Sequence, residues 1–296
     1  GRVTVSRRAE ALFVEADGLR LELVLARREG PDRSRSAVNE LVKAFPDNPQ
    51  ADLVAGKIYR RMLDRANARV HFRRAVEKAQ FETDTLFAAA TQQFGISDFS
   101  GALWSLTKAE QGSPGNLDVG VLKAAVLTEL REFDKAAEKI AELEKKHGAQ
   151  AEIHTVKGDM LMARGQRSQA VVEYKGAYDL VPVFKTATTY FRALIAAGDR
   201  ASASTFIKAW LEKHPRHLPS KHLYAQLLMM EKDWAGAQAM YEELQSAGLE
   251  DVMLLNNLAT AYQYQNDPRA LPAAEAAFKK APKDPSVADT YGWVLT

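Results

Sequence analysis

The feature that most constrains this chain is a recurrence of alanine. Ala37, Ala68, Ala102, Ala136, Ala170, Ala203, Ala237 and Ala270 each follow a short turn and open an apolar segment. Their spacings are 31, 34, 34, 34, 33, 34 and 33 residues. Other positions move in step. Four residues on stand Leu41, Phe72, Leu106, Ile140, Tyr174, Ile207, Tyr241 and Ala274, all large except the last. Three further come Ala44, Ala75, Ala109, Leu143, Ala177, Trp210, Leu244 and Ala277. Pro49, Pro114, Pro182, Pro215 and Pro282 close five of the units, and Gly56, Ala90, Ala124, Gly158 and Ala225 lie twelve residues before their alanines. A period near 34 predicts helix–turn–helix units that bury their apolar stripes only against their neighbours. Small residues allow the two helices of a unit to cross closely. The large residue fills the space beside them, and proline stops the second helix.

Composition agrees. Alanine supplies 48 of 296 residues, and it combines the best helix propensity with a small side chain. The chain has no cysteine, which excludes disulfides, Cys–zinc sites and thiol nucleophiles. A net charge of +2 disfavours a dedicated nucleic-acid binder. No run of about 18 apolar residues is present, so no span of a membrane is expected. No Pro/Gly/Ser-rich linker divides the chain near its middle, and no convincing strand alternation is read.

These positions resemble the tetratricopeptide repeat family. The clearest unit runs from Ala151 to Pro182 and carries Gly158, Gly165, Ala170, Tyr174, Ala177 and Pro182. The resemblance implies an all-α fold, a right-handed superhelical α-solenoid of about eight repeats plus a truncated ninth, with a concave groove lined by the first helix of each pair. The expected organisation is an N-terminal helix and a degenerate first repeat over 1–49, seven consecutive repeats over 50–282, and the first helix of a ninth over 283–296. Gly30-Pro31-Asp32-Arg33-Ser34 is read as a lengthened turn in the first unit, and Phe191 stands where a small residue is expected. Gly1 and the half-repeat ending at Thr296 are read as a fragment of a longer protein, with any signal peptide or lipid anchor outside it.

Catalytic patterns are sparse, and no enzyme activity, cofactor or metal is expected. There is no HExxH, GxxxxGK[ST] or GxGxxG. Ser105-Leu106-Thr107-Lys108 matches a short SxxK pattern, but Leu106 is a core residue of the repeat. His214, His217 and His222 are read as part of a proline-containing loop and the helix after it rather than as metal ligands.

Charge is more informative. Residues 1–80 hold 17 Lys/Arg against 11 Asp/Glu, and the remainder holds 23 against 27. Lys57, Arg60 and Arg61 share one helix face by their i, i+3, i+4 spacing. That face suits an anionic partner: an acidic peptide, a uronic-acid polysaccharide or phosphate. The alternative is a solvated face balanced by Asp52, Asp64 and Glu77. The other groove candidates from the register are Asp159 with Glu152 and Thr155; Arg192 with Lys185 and Thr188; Gln226 with His222 and Met229; and Asn256, Asn257, Thr260 and Gln263 with Tyr264. Asparagine donates to and accepts from a bound backbone at once, which singles out Asn256 and Asn257. The family's carboxylate clamp is not reproduced, because its positions hold Leu53, Phe87 and Val121.

A narrower resemblance lies at the end of the chain. Asn256-Asn257-Leu258-Ala259, Asp267-Pro268-Arg269-Ala270-Leu271, Pro282-Lys283-Asp284-Pro285 and Asp289-Thr290-Tyr291-Gly292-Trp293 are similar to PrsT-type lipoproteins of bacterial exopolysaccharide and PEP-CTERM systems. This implies a periplasmic or envelope-associated scaffold with a protein or peptide partner. The alternatives are a cytoplasmic adaptor presenting a partner to an enzyme or regulator, and a binder of an anionic polymer through the basic N-terminal repeats.

Overall fold

The computed structural model describes residues 4–8, 11–16, 19–24 and 31–296. The chain divides into two compact units, residues 1–186 and 187–296.

The first element departs from expectation. The described residues between 4 and 24 are strands rather than the expected helix. Strands β1 (Thr4–Arg8), β2 (Ala11–Ala16) and β3 (Leu19–Val24) make an antiparallel sheet in the order β1-β2-β3. The physical reason is in the pattern: Leu19, Leu21 and Leu23 alternate with Arg20 and Glu22, a period of two that suits a pleated strand and no helix. The register sets Leu12 opposite Leu23 and Val14 opposite Leu21. The lengthened turn also fails. Pro31–Ala44 is helix α1, opened by the proline, whose fixed φ suits a first helical turn. α1 thus carries the Ala37 register, with no partner helix before it among the described residues.

Seven helix–turn–helix units follow among the described residues. In the first unit of the chain they are α2 (Pro49–Arg61) with α3 (Arg65–Lys78), α4 (Thr83–Gly95) with α5 (Phe99–Gly112), α6 (Leu117–Glu129) with α7 (Phe133–His147), and α8 (Ala151–Ala163) with α9 (Arg167–Leu180). In the second they are α10 (Phe184–Ala196) with α11 (Arg200–Lys213), α12 (Leu218–Glu231) with α13 (Trp234–Ser246), and α14 (Val252–Tyr264) with α15 (Ala270–Lys280). α16 (Pro285–Val294) ends the series. We call the first helix of each pair A and the second B.

The alanine register is the core. Ala68, Ala102, Ala136 and Ala170 in one unit, and Ala203, Ala237 and Ala270 in the other, are buried. So are the large residues four positions on, from Phe72 to Tyr241. The small A-helix residue leaves room for them. A Cβ on Gly56 would stand 2.4 Å from Phe72 Cε1, and one on Gly158 would stand 2.6 Å from Tyr174 Cε1. Phe191 and Trp210, the two bulky departures from the pattern, are both buried.

Each A-to-B turn is the same device. Leu63, Ser97, Arg131, Gly165, Gly198, Lys232 and Asn266 all have a left-handed backbone, with φ between 55° and 83°. The next residue's N–H then reaches back five positions, as Asp64 does to the Tyr59 carbonyl and Asp199 to that of Leu194. This satisfies carbonyls that the ending helix would leave orphaned. Asp64, Asp199 and Asp233 then cap the B helices by accepting from the N–H groups of Asn67, Ser202 and Gly236.

Two pairs also carry a polar key between their helices. In α2/α3, the buried Asp52 carboxylate takes His71 Nδ1 at 2.7 Å on one oxygen and the Lys78 ammonium on the other. Tyr59 stacks on the His71 ring at 5.3 Å. In α8/α9, His154 Nδ1 lies 2.7 Å from Glu173, and Lys157 bridges Glu173 and Glu144.

Candidate functional site

In the first unit the A helices α2, α4, α6 and α8 touch in series, and in the second α14 touches α16. Residues at equivalent positions on neighbouring A helices therefore line up across them. The two units carry different faces.

In the first unit, Lys57 is half-buried on α2, with Arg60 and Arg61 exposed one turn further. Burial lowers the Lys57 pKa, and the adjacent Arg60 and Arg61 charges lower it again. The balancing acids do not balance it. Asp52 is buried against His71 and Lys78, Asp64 caps α3, and Glu77 pairs with Arg73 at 3.1 Å. Among the described residues, no carboxylate comes within 4.0 Å of Lys57, Arg60 or Arg61, and the three acids of the alternative reading pair elsewhere. Asp159 on α8 accepts from the Tyr174 hydroxyl at 2.6 Å. Desolvation raises the Asp159 pKa despite that bond, and the Glu129 charge on α6 raises it further. Glu129 was not singled out from the sequence, although its place at the end of an A helix matches that of Arg61.

In the second unit, Arg192 is exposed on α10, and Gln226 on α12 rests its amide nitrogen 3.5 Å from Met253 Sδ. Thr260 Oγ1 donates back to the Asn256 carbonyl, and Gln263 is half-buried on α14. Asn256 and Asn257 do not act as a pair. Asn257 Nδ2 donates to the buried Tyr241 hydroxyl at 2.8 Å. Burial pushes the Tyr241 phenol up to about 12. Among the described residues, the buried Asn256 Oδ1 has no hydrogen-bond partner. Thr188 Oγ1 and His222 Nε2 share that condition. Thr188, His222 and Asn256 recur at intervals of 34 residues and hold the same place on α10, α12 and α14. One orphaned polar atom therefore repeats on three successive A helices. Such groups are uncommon in folded proteins and costly when left unmet.

The remaining motifs are spent on structure. Ser105 is buried, with Oγ 2.6 Å from Gln93 Oε1 and 2.9 Å from the Gly101 carbonyl, which removes the SxxK reading. His214 packs on the Trp210 ring at 4.4 Å, and His217 caps α12 by accepting from the Ser220 N–H. Among the described residues no cluster of three metal-ligating side chains occurs, and no helix is long and apolar enough to cross a membrane.

No family model matches the sequence, and no curated protein is similar to it. Solved structures do match in shape. A tetratricopeptide repeat protein from Parabacteroides merdae superposes with a TM-score of 0.54 at 16% identity, over 88% of this chain and 99% of that one. PilW, a type IV pilus biogenesis factor, gives 0.56 at 17% over 72% and 98%. Yeast Tom70 gives 0.55 at 17% over 88% and 53%. The fold of the repeats is the tetratricopeptide α-solenoid.

Proposed function

We propose that this chain is a non-catalytic scaffold that holds an extended peptide segment of a partner protein on the A-helix face of its second unit. The observation that carries the reading is the orphaned column of Thr188, His222 and Asn256. A bound main chain presents N–H and C=O groups at regular intervals, so it supplies partners to polar side chains repeated at one helix position. Gln226, Thr260 and Gln263 flank the column with further amide and hydroxyl groups. Met229 and Met253 add deformable apolar surface suited to varied side chains.

We further propose that the partner belongs to an assembly of the bacterial envelope concerned with polysaccharide export, in the periplasm. The supporting feature is the PrsT-like phrase that begins at Asn256. The test of location is fractionation of the source cells: recovery with the periplasm or envelope supports it, and recovery in the cytosol overturns it.

The test of binding uses an array of random 12-residue peptides probed with the full chain. His222→Ala and Asn256→Ala should each weaken the strongest signals by about tenfold, the worth of one or two lost hydrogen bonds in a desolvated site. Unchanged signals in both variants would remove the column from the binding face.

A further inference from the structure

The A-helix face of the first unit is built from uncompensated like charges at both ends, and the two ends have opposite sign. α2 presents Lys57, Arg60 and Arg61, with no carboxylate in reach among the described residues. α8 and α6, which pack against each other, present Asp159 and Glu129, and the Glu129 charge acts on Asp159. The cations next along the chain do not neutralise this end. Arg131 and Arg164 turn to the Phe133 ring, at 6.0 and 5.5 Å, and Arg164 continues to Asp134. Between the ends, α4 is uncharged at the equivalent positions, which are Thr91, Phe94 and Gly95. Gly95 leaves the Arg60 guanidinium lying against α4: a Cβ there would come within 3.7 Å of it.

A folded protein ordinarily intersperses its charges. Here opposite charges occupy the same face without meeting, because the repeat spacing keeps them apart. Helices pack at roughly 9 Å, so three steps from α2 to α8 span on the order of 30 Å. An extended chain of about nine residues covers that length. Like charges held together on a partly desolvated surface favour a ligand of opposite sign, and two such clusters at fixed separation select the ligand's charge order as well.

We infer that this face binds a protein segment whose acidic residues and basic residues are separated by about nine positions, the acidic end on Lys57, Arg60 and Arg61 and the basic end on Glu129 and Asp159. A uniformly anionic polymer meets repulsion at α6 and α8, so the charge pattern points to a peptide rather than a polysaccharide. The inference rests on reading A-helix faces as protein-binding surfaces, but it concerns the unit that lacks the orphaned column.

The experiment titrates the full chain, by fluorescence anisotropy at low salt, with three labelled 15-residue peptides. One carries three Glu at one end and three Lys at the other, one carries six Glu, and one carries six Lys. The bipolar peptide should bind about tenfold tighter than either uniform peptide, and the gap should shrink as salt is raised past a Debye length of about 3 Å near 1 M. Arg60→Glu/Arg61→Glu, checked by circular dichroism for unchanged helix content, should lose that preference and gain affinity for the six-Lys peptide. Glu129→Gln/Asp159→Asn, which keeps an acceptor for the Tyr174 hydroxyl, should bind the six-Glu peptide as well as the bipolar one. Equal binding of six-Glu and bipolar peptides by the unaltered chain would overturn the inference, as would indifference of the bipolar peptide to Arg60→Glu/Arg61→Glu. If array signals still depend on Asn256 while these peptides fail, only the bipolar face falls.

Discussion

Gly56→Ala isolates the packing rule of the repeat. The new Cβ would meet Phe72 Cε1, Cδ1 and Cζ at 2.4, 2.5 and 2.9 Å. Carbon atoms in contact sit near 3.5–4.0 Å, so the ring must move by about 1 Å. Phe72 is fully buried, and close-packed interiors leave few voids to take a displaced ring. Overpacking of this kind costs about 1–3 kcal/mol. Alanine returns about 1 kcal/mol of helix propensity over glycine. The net expectation is a loss of about 1 kcal/mol. The neighbouring pair indicates the remedy: there Ala90 stands at the equivalent position and Leu106 fills the place of the ring, both fully buried. Gly56→Ala/Phe72→Leu should therefore cost less than its two single changes summed, with a coupling of about 1 kcal/mol. A repeat protein of two units need not unfold in one step, so the readout is native-state hydrogen exchange of α2 and α3 amides. Wild-type or greater protection in Gly56→Ala, or strict additivity in the double change, would refute the account.

Other expectations follow from the same structure. Leu63→Gly should stabilise the α2/α3 turn by about 1 kcal/mol, since leucine is held there at φ 61° with its side chain exposed, and Gly165→Ala should cost a similar amount; thermal melts read both. Asp52→Ala should destabilise by about 3 kcal/mol, because it strands His71 and Lys78, and chemical denaturation would show it. Burial alone would raise the Asp52 pKa, but the hydrogen bonds from His71 and Lys78 outweigh it and hold the pKa below the ordinary 3.8. Its contribution is thus complete above pH 3.8 and lost as pH falls through the lower folded value, so an acid titration of stability should be shallower in Asp52→Asn. Asn256→Ala removes an unmet acceptor, so stability should hold within about 0.5 kcal/mol or rise while array binding falls; a large loss of stability would mean that Asn256 is structural.

The repeats were legible because their determinants are local and recur. An alanine at a helix crossing and a large residue four positions on declare themselves without knowledge of what lies opposite. The N-terminal sheet was missed by extending that register backwards from Ala37, where the alternation of Leu19, Leu21 and Leu23 already favoured a strand. The A-helix positions were readable from the register, but the state of each side chain was not. Asn257 is claimed by Tyr241, sixteen residues earlier on a different helix, and nothing in either local sequence announces the bond. The supposed counter-ions of Lys57, Arg60 and Arg61 failed for the same reason. Asp52 lies on the same helix as the cations, yet it turns to His71 and Lys78 on α3.

The polar keys inside two of the pairs bear on how such a chain can be recombined. In α2/α3 the acid stands on the first helix and the histidine on the second; in α8/α9 the order is reversed at the same two positions. A crossover falling inside a pair would set Asp52 against Glu173, or His154 against His71, and bury like with like. A crossover between pairs would carry each lock with its own key. The heritable module is therefore the hairpin rather than the helix, and libraries of shuffled repeats should be cut where one hairpin ends and the next begins.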